Sequence, residues 1–115
     1  MSTMNYAIYR LKDTEGNERR FFMASAYLQM TGSWPPKPDD YEKIYEGNLP
    51  DLHPSANVLE WLYAKFNVGR PADFHHYSMS VGDIVILTGT KNPGAHFCDS
   101  IGFTAVPEFY AALTT

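Results

Sequence analysis

At 115 residues and a net charge of −4, the chain has the size of one domain around one core, and it lacks any lysine- or arginine-rich block that would mark a nucleic-acid binder. The one local basic cluster, Arg19 and Arg20, is expected to be solvated surface. Cys98 is the only cysteine, no apolar run approaches ~20 residues, and the start "MSTMNYAIYRLK" lacks a signal-peptide pattern, so the expectation is a soluble cytoplasmic protein without membrane contact.

Asn5–Leu11 ("NYAIYRL") is aromatic and β-branched and is predicted as a strand. Residues 12–18 contain Asp, Gly and Asn to turn the chain, and residues 19–23 are predicted as a second strand, hairpin-paired with the first. Residues 24–32 are helix-tolerant, with Met23, Ala26, Tyr27 and Met30 at helical spacing; a short helix is favoured over an extended strand. Residues 33–40 ("SWPPKPDD") cannot be regular, because three prolines remove donors and hold φ near −65°. Trp34 is expected to pin this connector by packing on the proline rings; a proline-rich ligand for a partner is the alternative.

Residues 41–50 alternate, placing Tyr41, Lys43 and Tyr45 on one face and Glu42, Ile44 and Glu46 on the other, as in a half-buried edge strand. Asn57 stands three residues before Glu60, the spacing of a capping box. Val58, Leu62 and Phe66 then form a helical stripe, widened by Leu59 and Tyr63. Gly69 is expected as a left-handed stop, and Pro71 prevents resumption. Residues 84–87 are apolar on both faces, as in a central strand covered on two sides. Residues 95–106 are predicted as one returning strand, and Pro107 opens a short final helix. The sum is α+β: a single small domain over residues 1–115, with about five mostly antiparallel strands and two or three helices.

Candidate chemistry is sparse. His75 and His76 are adjacent and point apart on an extended chain, so they do not readily share a metal. His96 and Cys98 share a strand face and could supply two zinc ligands, with His75 or His76 as a third, but no CxxC or HExxH spacing accompanies them. As a nucleophile pair they stand roughly 6.5–7 Å apart at Cβ, which is loose for proton transfer. Asp99 interrupts the apolar alternation of Ala95, Phe97, Ile101 and Phe103. Either a bulge near residues 100–102 turns it outward, or backbone amides or an arginine satisfy it, in a structural or a ligand-binding role. Asp83, in "SMSVGD", suits acceptance from nearby backbone amides. Glu42 and Glu46 fit edge-strand solubility better than an acid/base pair, and no nucleotide-binding loop is present. No catalytic residue, metal site or cofactor is expected.

Taken in order, the motifs "YEKIYEGNLP", "LEWLYAKFNVGRPADF", "SMSVGDIVIL" and "HFCDSIGFTAVPEF" resemble the YodL-like domain family of bacterial proteins. The resemblance rests on Tyr41, Tyr45, Gly47, Leu49 and Pro50, on Leu59, Glu60, Phe66 and Asn67, and on Pro71, Asp73 and Phe74. It continues through Ser78, Ser80, Val81 and Asp83, then Asp99, Ser100, Gly102, Phe103, Pro107 and Phe109. It covers most of the chain from Tyr41 onward and implies an accessory protein of bacterial mobile genetic elements, conjugative ones included. It implies no established activity and carries over no catalytic residues. The chain departs from the pattern at His96, Phe97 and Cys98, where aromatic residues often precede the Asp-Ser pair.

The leading expectation is a non-enzymatic binding or adaptor module that engages protein, with Trp34, Tyr41, Tyr45, Asp73, Phe74 and Asp99 as its surface and Asp73 meeting Asp99 across the strands. The second is a small-ligand-binding or hydrolytic enzyme with a pocket around Asp99, His96 and Cys98. A third, by analogy with mobile elements, is an acidic surface that counters a DNA-binding partner.

Overall fold

Alternation along strand β1 (Asn5–Leu11) sends Tyr6 and Ile8 into one core and Ala7, Tyr9 and Leu11 toward another. The computed structural model describes residues 4–14, 17, 20–53 and 55–114. After β1 come helix α1 (Ser25–Met30), a single 3-10 turn (Pro38–Asp40) and strand β2 (Tyr41–Asn48). Helix α2 (Val58–Val68), strands β3 (Ile84–Thr88), β4 (Gly94–Cys98) and β5 (Phe103–Ala105), and helix α3 (Pro107–Thr114) follow. The strands form one antiparallel sheet in the order β2-β1-β3-β4-β5, an α+β fold as predicted. β3 lies at the centre and is buried on both sides, which its uninterrupted apolar run required.

One face of the sheet is covered by α2. The Asn57 side chain accepts from the Glu60 amide at 3.1 Å, so the predicted cap forms. Leu62 and Phe66 are fully buried, and Phe66 meets the rings of Tyr6, Tyr45 and Phe74 edge-on, with centroids 4.8–5.8 Å apart. The opposite face is covered by α1 and α3, whose Leu28 and Phe109 pack with Leu11, Tyr41, Ile84, Ile86 and Phe97.

Several expectations are corrected. Arg20, Phe21 and Phe22 form a turn and not a strand, and β1 pairs with β2 and β3 instead; Arg19 lies outside the described residues. Tyr41 and Tyr45 do not share a face. The register jumps from Ile8↔Tyr45 to Tyr9↔Lys43, so Ile44 is an extra residue in β2 and the alternation inverts there. Tyr41 consequently packs on Phe109, and Tyr45 packs on Phe66 across the sheet. Residues 95–106 are two strands joined by a turn, with Gly102 at φ +65°, a conformation that a side chain disfavours. Gly69 stops α2 at φ −123°, outside the left-handed region. In α1, Ala26, Tyr27 and Met30 are exposed and Leu28 alone is buried, so the helix docks by another stripe. Trp34 packs edge-on against Phe97 at 5.1 Å, which ties its connector to the core on that face of the sheet.

Phe66→Ala is expected to cost about 3–5 kcal/mol of unfolding free energy. Tyr63→Ala, on the exposed side of the same helix, should stay within about 0.5 kcal/mol in the same urea titration.

Candidate functional site

An arginine on the apolar side of β1 organises one end of the domain. Alternation places Arg10 on the same side as Tyr6 and Ile8, and it is buried there together with Asp83. Its Nε and Nη2 donate to the two carboxylate oxygens of Asp83 at 2.8 and 2.6 Å. Nη1 and Nη2 also donate to the carbonyls of Tyr77 and Ser78, both at 3.0 Å. Asp83 further accepts from the Ser80 amide at 2.9 Å, as its turn position predicted. Burial pushes the Asp83 carboxyl up, while the guanidinium and the Ser80 amide pull against that rise.

The same guanidinium lies 3.6 Å from the centroid of the Tyr77 ring, and Tyr77 lies 5.7 Å from the ring of Phe22. Phe22 is the sole non-glycine residue at positive φ among the described residues, at +63°. Phe22 is 58% exposed and Tyr77 46%. A bulky residue held in a left-handed conformation so as to present its ring to water is the kind of strain that gathers at functional sites. Beside this platform runs an open groove of about 480 Å³, walled by Leu11 and Ile44 and edged by Asp13, Glu42, His75 and His76. The two histidines line one concavity, although adjacency on an extended chain predicts that they diverge.

The six residues predicted as a surface fall in three places. Tyr45, Asp73 and Phe74 come together: the Tyr45 phenol donates to Asp73 at 2.8 Å, and the rings of Tyr45 and Phe74 meet at 5.5 Å. That hydrogen bond to Asp73 raises the Tyr45 phenol above its ordinary pKa. Phe74 is buried in the α2 core, whereas Trp34 and Tyr41 belong to the opposite core. Asp99 stands alone at the far side of the sheet and does not meet Asp73. It accepts from the Ser25 amide and hydroxyl at 3.1 and 2.5 Å, the Thr104 hydroxyl at 2.6 Å and the Ser100 amide at 2.9 Å. Partial burial pushes its carboxyl up, but these four donors outweigh that and hold it below the usual carboxylate range. Asp99 thus anchors the start of α1 to the β4–β5 turn.

Neither His96 nor Cys98 lines the groove, nor does either line a second concavity of about 560 Å³ at the other end of the sheet. The Cys98 thiol is buried, and desolvation, with Asp83 and Asp99 nearby, pushes its pKa up to about 12, the reverse of an activated nucleophile. His96 Nε2 lies 3.0 Å from the Asn92 carbonyl. Among the described residues no His, Cys, Asp or Glu cluster is arranged to hold a metal, and no helix is long and apolar enough to cross a membrane. Sequence reasoning missed Arg10, Phe22 and Tyr77. The available signal was Arg10 itself, a charge in phase with Tyr6 and Ile8.

Arg10→Ala strands a buried carboxylate and is expected to cost about 3–5 kcal/mol by urea denaturation, while Arg10→Met combined with Asp83→Leu should cost less than either single loss. For Asp99, a folded pKa below the unfolded value of about 4 means that its contribution is complete above that pH and disappears as pH falls through the folded value. Asp99→Asn should lower stability by about 1 kcal/mol at neutral pH. The gap to the parent chain should shrink on acidification toward about pH 2.

No curated protein and no solved structure matches the chain. A family model described as the YodL-like domain matches residues 5–109, nearly its whole length, and the chain belongs to that family.

Proposed function

We propose that the domain is a non-enzymatic protein-binding module whose contact surface is the Phe22–Tyr77 platform and the adjoining groove. The observation that carries the reading is the strained, outward-facing Phe22, set at a tilt against a tyrosine that is itself backed by a buried ion pair. Aromatic rings with little freedom left to lose are the anchors that protein interfaces use most. Strand β2 forms one wall through Glu42 and Ile44, and Asp13 and Glu42 make the rim acidic. A partner segment with an apolar side chain flanked by basic residues complements this rim. A role as an accessory of a bacterial mobile element, acting in the cytoplasm, fits the same reading.

Phe22→Gly separates stability from binding. Glycine relieves the positive φ, so the variant should unfold within about 1 kcal/mol of the parent or be more stable. In affinity capture from the host, a protein retained by the parent should be lost with Phe22→Gly and with Tyr77→Ala. It should be kept with Ile101→Ser, a change at a still more exposed apolar residue on the β4–β5 turn. Identical capture by the parent and Phe22→Gly would sink the reading.

A further inference from the structure

The sheet has two edges. β5 offers only three residues, whereas β2 offers eight, and among the described residues β1 is the only segment that pairs with the β2 backbone. The outer side of β2 is a row of unpaired amides and carbonyls, the kind of template on which another strand can add. Charged side chains and a bulge usually guard such an edge, and β2 carries both. Here they are placed so that one strand satisfies them together, and that strand is β2 of a second copy. Residues opposite each other across a ladder share a face. Through Leu11, Tyr9, Ala7 and Asn5, the register puts Tyr41, Lys43, Glu46 and Asn48 on the α1/α3 face. Through Arg10, Ile8 and Tyr6 it puts Glu42, Tyr45 and Gly47 on the α2 face, and Ile44 packs there too. The order of faces is therefore the same from either end of the strand. In an evenly alternating strand of this length, end-to-end antiparallel pairing with its own copy would oppose residues from opposite faces. The extra residue Ile44 removes that mismatch.

We propose that β2 pairs antiparallel with β2 of a second copy, joining two sheets into one about a two-fold axis at Ile44 and Tyr45. In that register Tyr41 lies opposite Asn48, Glu42 opposite Gly47, Lys43 opposite Glu46 and Ile44 opposite Tyr45. Every pair shares a face, each lysine meets a glutamate of the other copy, and the apolar pairs sit at the centre. Within one chain Lys43 and Glu46 are exposed and already lie 3.0 Å apart, so pairing gathers two such ion pairs into a group of four alternating charges. Sliding by one residue would set Lys43 against Tyr45, or Ile44 against Glu46, groups that point to opposite faces. Phe22 and Tyr77 take no part in this contact, although Glu42 and Ile44 also wall the groove.

The test follows the mass of the full chain by sedimentation equilibrium at about 0.1 M salt, where a screening length of ~10 Å spares directly opposed charges. The parent should be a reversible dimer at about 1 mM and dissociate on dilution. Lys43→Glu sets glutamates opposite each other and Glu46→Lys sets lysines opposite each other. Each should weaken self-association about tenfold, although the two shift net charge in opposite directions. Both positions are exposed, so far-UV circular dichroism should be unchanged. An equimolar mixture of the two variants pairs glutamates with lysines and should form a heterodimer as tight as the parent. Neither chain in that mixture regains its internal Lys43–Glu46 pair, so recovery reads the contact between copies alone. Phe22→Gly should dimerise like the parent even where it loses the captured protein. A mixture no tighter than its components would overturn the proposal, as would a parent that stays monomeric at about 1 mM. A monomeric parent that instead binds an extended peptide along β2 would give the edge to another protein. Tighter association of Glu46→Lys would make net charge the cause, and loss of the dimer in Phe22→Gly would move the contact to the platform; either result also overturns it.

Discussion

The buried pair of Arg10 and Asp83 is the contact on which the layout of the domain depends. Arginine presents its donors in a rigid planar fork, and here that fork is used on four acceptors drawn from two segments that lie about seventy residues from it in sequence. Asp83 immediately precedes β3, its carbonyl accepts from the Cys98 amide at 2.7 Å, and the Gly82 amide donates to the Cys98 carbonyl at 2.8 Å. The pair therefore joins β1, the loop ahead of β3 and the end of β4 at a single point. Two charges out of water gain little net energy over a well-packed apolar substitute. What they impose is geometry, because the loop must set its acceptors around the guanidinium fork together to make these four bonds.

The platform follows from that placement. Tyr77 can lie over the guanidinium only because its own carbonyl is held by Nη1. The turn that carries Phe22 is secured separately. The Asn17 side chain donates to the Lys12 carbonyl and to the Thr14 hydroxyl, and Arg20 reaches Asn17 at 3.0 Å and Asp40 at 3.2 Å. Phe21 then packs against the core while Phe22 is left outside. The neighbouring rings thus divide the work, one anchoring the turn and the other facing solvent.

Elements with a periodic signal were legible in the sequence. The α2 stripe with its Asn57 cap, the doubly apolar β3 and the proline-opened α3 all stand where their patterns put them. What escaped was long-range choice. Arg20, Phe21 and Phe22 have strand composition, yet β1 finds both its partners elsewhere, and no local pattern encodes which strand pairs with which. Glycine at position 102 was readable as an irregularity but not as a full turn, because a bulge and a hairpin both tolerate its left-handed backbone. The candidate site was the least legible part. Asp99 was rightly marked as a carboxylate needing partners, but its donors come mostly from α1 and β5. Phe22 gave no signal at all, since backbone strain at a phenylalanine leaves no mark in composition.

The extra residue in β2 has a further consequence for how securely the edge strand is seated. In a regular strand, sliding the pairing by one residue exchanges the two faces wholesale, and the chain must choose between two complete registers. With Ile44 inserted, Tyr41 and Tyr45 are committed to cores on opposite sides of the sheet, and Gly47 is locked beneath the Tyr6 phenol, where a Cβ would come within 2.9 Å of its oxygen. A slip in either direction would then misplace a ring or force Tyr6 to move. The irregularity that breaks the ladder is thus also what prevents it from sliding.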